Sequence, residues 1–352
     1  MNSEITTGTE FHYRGSRRRR PGRRRRRLPV LPVVCLLVVL AAGALLFWRT
    51  YGDLYRDRYQ TETRIQGLLR EETPDERLKP FAADLAVVQD PDDADTSVGA
   101  ESAFLAGDSG GNAVFAKNAF QRMNPASTTK IMTCLIALEN LTDLSETWTA
   151  GGEIAVSEKG ASMAGIREGD TLTAEQVLYA LMLKSGADAA NMLALHVGGS
   201  EEKFVEMMNA RAEELGASGT HFTNCHGLTD ENHYTTAYDL YLMLREAMKS
   251  EEFRKLAGTA VYEAHYTGAD GKEVTRKWKN TNLYLTGDAV LPPGFENPAG
   301  KTGTTLAAGS CLALAPTEAD GSLVYSIVLK SLNHVTLYED MNVVLEKINQ
   351  SD

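Results

Sequence analysis

Asn124-Pro125-Ala126-Ser127-Thr128-Thr129-Lys130 runs directly into Ile131, Met132, Leu135, Ile136 and Leu138. The apolar residues recur at helical spacing, and Pro125-Ala126-Ser127 marks where the helix begins. Ser127 and Lys130 are three residues apart and so share one face of that helix, where the lysine amine can reach the serine hydroxyl and take its proton. A lysine does this only when neutral, which requires desolvation or a neighbouring cation. The helix start adds free backbone N–H groups and a positive dipole end, both suited to a developing oxyanion. In isolation the same spacing also fits a capping serine followed by a solvated lysine.

On either side of this stretch, short strands alternate with amphipathic helices. Ser102 to Ala106 and Ala113 to Lys117 flank Gly107-Asp108-Ser109-Gly110-Gly111, a hairpin pattern whose glycines supply positive φ values. Thr173 and Gln176 form a capping-box pattern before Val177, Leu178, Ala180, Leu181 and Met182, and Gly186 punctuates the end. Further helices are predicted over Asp188 to His196, Glu201 to Leu215 with Gly216 beyond it, and Thr236 to Lys249 capped by Thr236 and Asp239. Strands follow around Cys311 to Ala315 and Leu323 to Leu329, then a closing helix near Leu337 to Ile348. Strands at both ends with helices between them imply a sheet assembled from distant pieces. No internal repeat is visible.

Two more short motifs carry chemistry. Lys301-Thr302-Gly303, followed by Thr304, offers a cation, a hydroxyl and close backbone access beside a strand, a combination suited to a substrate carboxylate or amide. Ser185-Gly186-Ala187 lies between two helices, where a loop presents Ser185 toward the Ser127 and Lys130 pair. Each is weak alone, but the order S-x-x-K, S-G-x, K-T-G is far more specific.

With these three motifs the sequence resembles the serine-type D-Ala-D-Ala carboxypeptidases, the low-molecular-mass penicillin-binding proteins, over most of Ser102 to Ile348. His221 to Leu228, Tyr234 to Asp239 and Asn280-Thr281-Asn282 add to the likeness. The resemblance implies an α/β, β-lactamase/transpeptidase-like fold, with an antiparallel sheet flanked by helices plus a mostly helical subdomain. It implies Ser127 as acylated nucleophile, Lys130 as its general base and Ser185 as proton relay to the leaving amine. Lys301 and Thr302 would hold the terminal carboxylate, Gly303 would admit the substrate, and the N–H groups of Ser127 and Thr304 would form the oxyanion hole. The implied substrate is a peptidoglycan stem peptide, with β-lactams as covalent inhibitors and no metal or organic cofactor.

The middle motif departs from the family. Its usual Asn is Ala187 here, which has no amide to contact substrate or position the lysine. Asn191, one helical turn on, is a candidate substitute. The sequence also stops soon after the closing helix, where many relatives continue into a β-rich domain with a membrane-binding tail, so anchoring is expected at the amino terminus instead. His221, Cys225 and His226 do not match helical metal-ligand spacing, and His221 and Asn224 read instead as residues that hold a loop through side-chain to backbone hydrogen bonds. Cys311 reads as packing, and Met182, Met192, Met207 and Met208 as core filler.

Composition bounds the rest. The 352 residues are 43% hydrophobic and 24% charged, enough for a sizeable core. Residues 1 to 49 hold eleven Arg against Glu4 and Glu10, a balance of +9, so a chain of net charge −11 leaves −20 beyond them. An acidic body of that size excludes nucleic acid as the main partner. Ten arginines between Arg14 and Arg27 precede Leu28 to Trp48, twenty-one uncharged residues. A helix of that length spans roughly 30 Å of hydrocarbon, and the arginines hold its start in the cytoplasm. The expectation is a basic cytoplasmic tail (1–27), a transmembrane signal-anchor (28–48), a charged stalk (49–96) and an extracytoplasmic catalytic domain (97–352) on a bacterial cell membrane. Cleavage at Ala42-Gly43-Ala44 is the competing reading, opposed by the apolar run continuing through Leu45 to Trp48; a nuclear role for the arginines is opposed by the adjacent span. Three body cysteines, Cys134, Cys225 and Cys311, cannot all pair, so buried free thiols are expected.

Two other functions fit parts of the pattern. A β-lactamase-like hydrolase would carry S-D-N, which Ser185-Gly186-Ala187 does not. A catalytically silent module that binds stem peptides is suggested by Ala187.

Overall fold

The computed structural model describes residues 85–90, 95–156, 158 and 160–350. The elements, in order, are β1 (Ala86–Val87), β2 (Ser102–Gly107), β3 (Gly111–Asn112), β4 (Phe115–Lys117), α1 (Lys130–Asn140), β5 (Thr147–Thr149), β6 (Thr171–Thr173), α2 (Ala174–Lys184), α3 (Ala187–Gly198) and α4 (Glu201–Glu214). They continue with α5 (Ala237–Ala247), α6 (Glu251–Gly258), β7 (Val261–Thr267), β8 (Glu273–Lys279), β9 (Phe295–Thr305), β10 (Gly309–Glu318), β11 (Val324–Ser331) and α7 (His334–Glu346).

The main sheet is antiparallel throughout, in the order β4-β2-β11-β10-β9. It joins the hairpin at one end of the domain to the K-T-G strand at the other, as the distant-pieces expectation required. Its strands are apolar on both faces because both are covered. Phe104, Cys311, Ala313, Tyr325 and Ile327 face one core, which contains the helices α1 to α6. Their neighbours Leu105, Leu312, Leu314 and Val328 face a second core closed by Leu337, Met341, Val344 and Leu345 of α7. Strand alternation thus distributes a single sheet between two cores. In α1 every residue from Lys130 to Ala137 is buried.

Caps set several helix limits. Thr173 and Gln176 make the reciprocal capping box of α2, Thr236 accepts from Asp239 N at the start of α5, and Gly216 takes the left-handed conformation beyond α4.

The structure corrects the sequence reading at four points. The domain begins before residue 97: Ala86 is buried, β1 pairs in parallel with β3, and Ala86 exchanges hydrogen bonds with the hydroxyls of Tyr241 (3.1 Å) and Tyr238 (3.0 Å). Residues expected in the stalk are therefore part of the folded body. A second antiparallel sheet, β5-β6-β7-β8, and helix α6 went unread. The helix that carries Lys130 is preceded by a 3₁₀ turn over Ala126–Thr129, which holds Ser127. At the end of α2 the left-handed residue is Ser185 (φ 56°, ψ 33°), and Gly186 is extended.

No helix among the described residues is long and apolar enough to cross a membrane. Leu28 to Trp48, like the tail and most of the stalk, lies outside the described residues.

Candidate active site

Ser127 sits in the 3₁₀ turn, and Lys130 is the first residue of α1, so the change of helix type falls between them. Lys130 Nζ lies 3.1 Å from Ser127 Oγ and donates to the His226 carbonyl at 2.5 Å. Only 1% of Lys130 is exposed. That burial lowers its pKa from the ordinary lysine value to about 8, against opposing pulls from Cys225 and Asp188. At that value about a tenth of the amine is neutral at pH 7, and the neutral form offers a lone pair to the Ser127 O–H across the same contact.

Strand β9 is an edge of the main sheet among the described residues and packs on the 3₁₀ turn that holds Ser127. Gly303 explains how closely: a Cβ there would lie 2.8 Å from Ser127 N, 2.9 Å from Thr128 N and 3.0 Å from Pro125 O. No side chain fits without moving backbone. Lys301 is as buried as Lys130, and its Nζ donates to Thr302 O at 2.9 Å. Burial, and secondarily the charge of Lys130, hold Lys301 well below the usual lysine range. Thr302 is buried and shares a hydroxyl hydrogen bond of 2.6 Å with Thr281. Thr304 is exposed at the strand end, its hydroxyl turned to His334 Nε2 at 3.4 Å.

Ser185 closes α2, and its Oγ is buried with no hydrogen-bond partner among the described residues. Two residues earlier, Leu183 O accepts from Thr281 N at 3.1 Å. Thr281 therefore ties the end of α2 to Thr302, which brings the Ser185 loop and the K-T-G strand together.

Several residues of this region were not read from sequence. Asp188 is fully buried and accepts from the backbone N–H groups of Ala164 (2.9 Å), Gly165 (2.9 Å), Ile166 (3.1 Å) and Ala189 (3.0 Å). It fixes the 164–166 loop against the start of α3. Asn191 does not replace the missing asparagine. Its amide donates to Glu153 O at 2.9 Å, and its oxygen faces Cys225 Sγ at 3.4 Å. Thr133 Oγ1 donates to Cys225 O at 2.6 Å, holding the 225–227 loop over Lys130. His221 and Asn224 hold backbone, as expected: His221 Nδ1 meets Asn232 O at 2.7 Å, and Asn224 accepts from Gly227 N at 2.7 Å. All three described cysteines are buried free thiols.

With a serine, a desolvated lysine and a lysine-threonine strand gathered in this way, comparison with known proteins is decisive. The family model for D-alanyl-D-alanine carboxypeptidase matches residues 87–333. The chain belongs to this family. Members similar to it include the D-alanyl-D-alanine carboxypeptidase DacF of Bacillus subtilis, 37% identical over 218 residues, which are 60% of this chain and 53% of DacF. A D-alanyl-D-alanine carboxypeptidase of Streptomyces sp. strain K15 is 34% identical over 233 residues, covering 63% of this chain and 77% of that protein. The crystal structure of the Streptomyces K15 DD-transpeptidase superposes with a TM-score of 0.66 at 31% identity, over 71% of this chain and 97% of that one. The carboxypeptidase family fold is thus an α/β body with antiparallel sheets and helices. The match spans about half the length of DacF.

Proposed function

We propose that this chain is a serine D-Ala-D-Ala carboxypeptidase that removes the terminal D-Ala from peptidoglycan stem peptides through an acyl-enzyme. The contact of a buried, pKa-lowered Lys130 with Ser127 Oγ carries the reading. Neutral Lys130 takes the hydroxyl proton as Ser127 Oγ attacks the penultimate D-Ala carbonyl. Negative charge then develops on the carbonyl oxygen, next to the N–H groups of Ser127 and Thr304. Collapse of the tetrahedral intermediate breaks the C–N bond. The proton held by Lys130 passes through the Ser185 hydroxyl to the leaving amine, and D-Ala departs. Water, deprotonated by Lys130, hydrolyses the ester and restores Ser127.

Lys301 and Thr302 are the anchor for the terminal carboxylate. An arriving carboxylate favours the ammonium form of Lys301, against the burial that disfavours it. Ala187 leaves the reaction class intact, since Ser185 remains, and bears on substrate preference. β-Lactams would acylate the same serine. Leu28 to Trp48 would hold the domain outside a bacterial membrane, a placement supported by the arginine block before it.

The test is D-Ala release by the purified full chain from a diacyl-Lys-D-Ala-D-Ala peptide, beside capture of a labelled penicillin. Release together with an adduct stable for minutes is expected, and both are lost in Ser127→Ala. Rapid penicillin turnover would instead favour a β-lactamase-like hydrolase, and neither release nor labelling a silent binding module.

A further inference from the structure

Ala126, the residue before Ser127, has φ 47°, a left-handed backbone that a residue with a Cβ rarely adopts. Its carbonyl accepts from Thr129 Oγ1 at 2.8 Å. Gly227, at φ 81°, lies directly against that carbonyl: a Cβ there would come within 1.9 Å of Ala126 O. The turn presenting the nucleophile is therefore held from outside its own segment.

His233 completes the arrangement from about a hundred residues away. The Thr223 N–H donates to Nδ1 at 3.0 Å, so in the neutral ring Nδ1 is the acceptor and Nε2 carries the hydrogen. Nε2 lies 2.8 Å from Thr129 Oγ1. Once that hydroxyl oxygen accepts from Nε2, its own hydrogen is directed at Ala126 O. Thr129 and His233 are both only 1% exposed, so neither has water as an alternative partner. The segment carrying His233 is itself fixed: Thr235 exchanges backbone hydrogen bonds with Met123 (2.7 and 2.9 Å), and Tyr234 with His221 (2.8 and 3.0 Å).

We infer that His233 is a positioning residue for the nucleophile, acting through Thr129 to hold the Ala126 carbonyl and so the strained turn that presents Ser127 to Lys130. This rests on the acyl-enzyme reading above. His233 touches neither substrate nor Ser127, and it transfers no proton. Its contribution is the direction of one hydrogen bond.

The two ring nitrogens can be tested separately. A glutamine at 233 places an amide donor near the position of Nε2, whereas an asparagine places an acceptor near that of Nδ1. Full-length wild type, His233→Gln, His233→Asn and Thr129→Val are compared by rapid mixing with a labelled penicillin, which separates binding from acylation, and by unfolding midpoint. His233→Gln should acylate within about threefold of wild type, while His233→Asn and Thr129→Val slow the chemical step on the order of 10- to 100-fold with little change in binding, the effect of a small misplacement of the attacking atom. Equal slowing of Gln and Asn, no slowing of either, or slowing that simply follows the unfolding midpoint overturns the inference. If His233→Asn does not fold, Thr129→Ser against Thr129→Val gives the same decision, with Ser retaining the rate. A wild-type chain that captures no penicillin overturns the acyl-enzyme reading itself, and this inference with it.

Discussion

A Cβ at position 303 would stand 2.8 Å from the backbone nitrogen of Ser127, so Gly303 leaves no room for a side chain beside Ser127. The K-T-G strand is thus one wall of the turn that carries Ser127, and the glycine is required by the closeness of that wall. Gly303→Ala should push β9 and the turn apart. An overpacking cost of about 1–3 kcal/mol in stability is expected, with acylation falling roughly 100-fold as the oxyanion N–H of Ser127 moves. Urea unfolding and penicillin capture measure the two effects, and unchanged acylation would show that the wall does not shape the site.

With Lys130 as the proposed base, the pH dependence follows from its burial. Its burial brings the pKa to about 8, so the neutral, proton-accepting form grows with rising pH. Between pH 7 and 8 the acylation rate should increase roughly fivefold and then level off as deprotonation completes. Lys130→Arg keeps a cation that does not deprotonate, and should lose about 10²- to 10⁴-fold, the usual share of general base catalysis. A flat profile from pH 6 to 9 would exclude Lys130 as the base.

Asp188 accepts four backbone N–H groups in a fully buried setting. Asp188→Asn turns an acceptor oxygen into an NH₂ that faces those donors. A loss of about 1–3 kcal/mol is expected, concentrated in the 164–166 loop and visible as faster amide exchange there. Exchange spread evenly over the domain would contradict the local role.

Buried histidines make the domain acid-sensitive. Burial, then nearby Lys130, lowers His226 to about 4. Burial, then His226, lowers His233 to about 3, with His221 and Lys130 adding and Asp230 opposing. An unfolded histidine titrates near 6.5. Below that pH the unfolded chain binds more protons than the folded one, so this stability is complete above 6.5 and is lost as pH falls toward 4. Going from pH 7 to 5 should cost on the order of 2 kcal/mol for each histidine. Urea unfolding at both pH values should show each His→Gln change removing its share; an undiminished loss in the double variant would assign the effect elsewhere.

What the sequence disclosed and what it withheld follow a physical division. The S-x-x-K and K-T-G motifs were legible because their chemistry needs fixed residue types at short spacing, and the helices α1 to α5 because their apolar faces repeat within a few residues. The sheet β5-β6-β7-β8 was not, since β7 and β8 bury few side chains: Glu273, Thr275, Lys277 and Lys279 are exposed, and Arg276 interrupts the inward-facing row of Val274 and Trp278. Ala86 was hidden by the charged residues around it, because its burial depends on Tyr238 and Tyr241, about 150 positions away. His233 and Asp188 were missed for the same reason. Asp188 acts on the backbone of the 164–166 loop and His233 on the hydroxyl of Thr129, and nothing beside either residue in sequence announces it. Asn191 looked available one turn after Ala187, but the fold commits its amide to Glu153.

The central claim is that Ser127, deprotonated by Lys130, is the acylated residue. Peptide mass spectrometry of the full chain after exposure to a penicillin measures this most directly. One intact β-lactam adduct per chain is expected, on the peptide containing Ser127, forming faster at pH 8 than at pH 6 and absent from Ser127→Ala. An adduct on any other residue, or none in a folded wild-type chain, would contradict it.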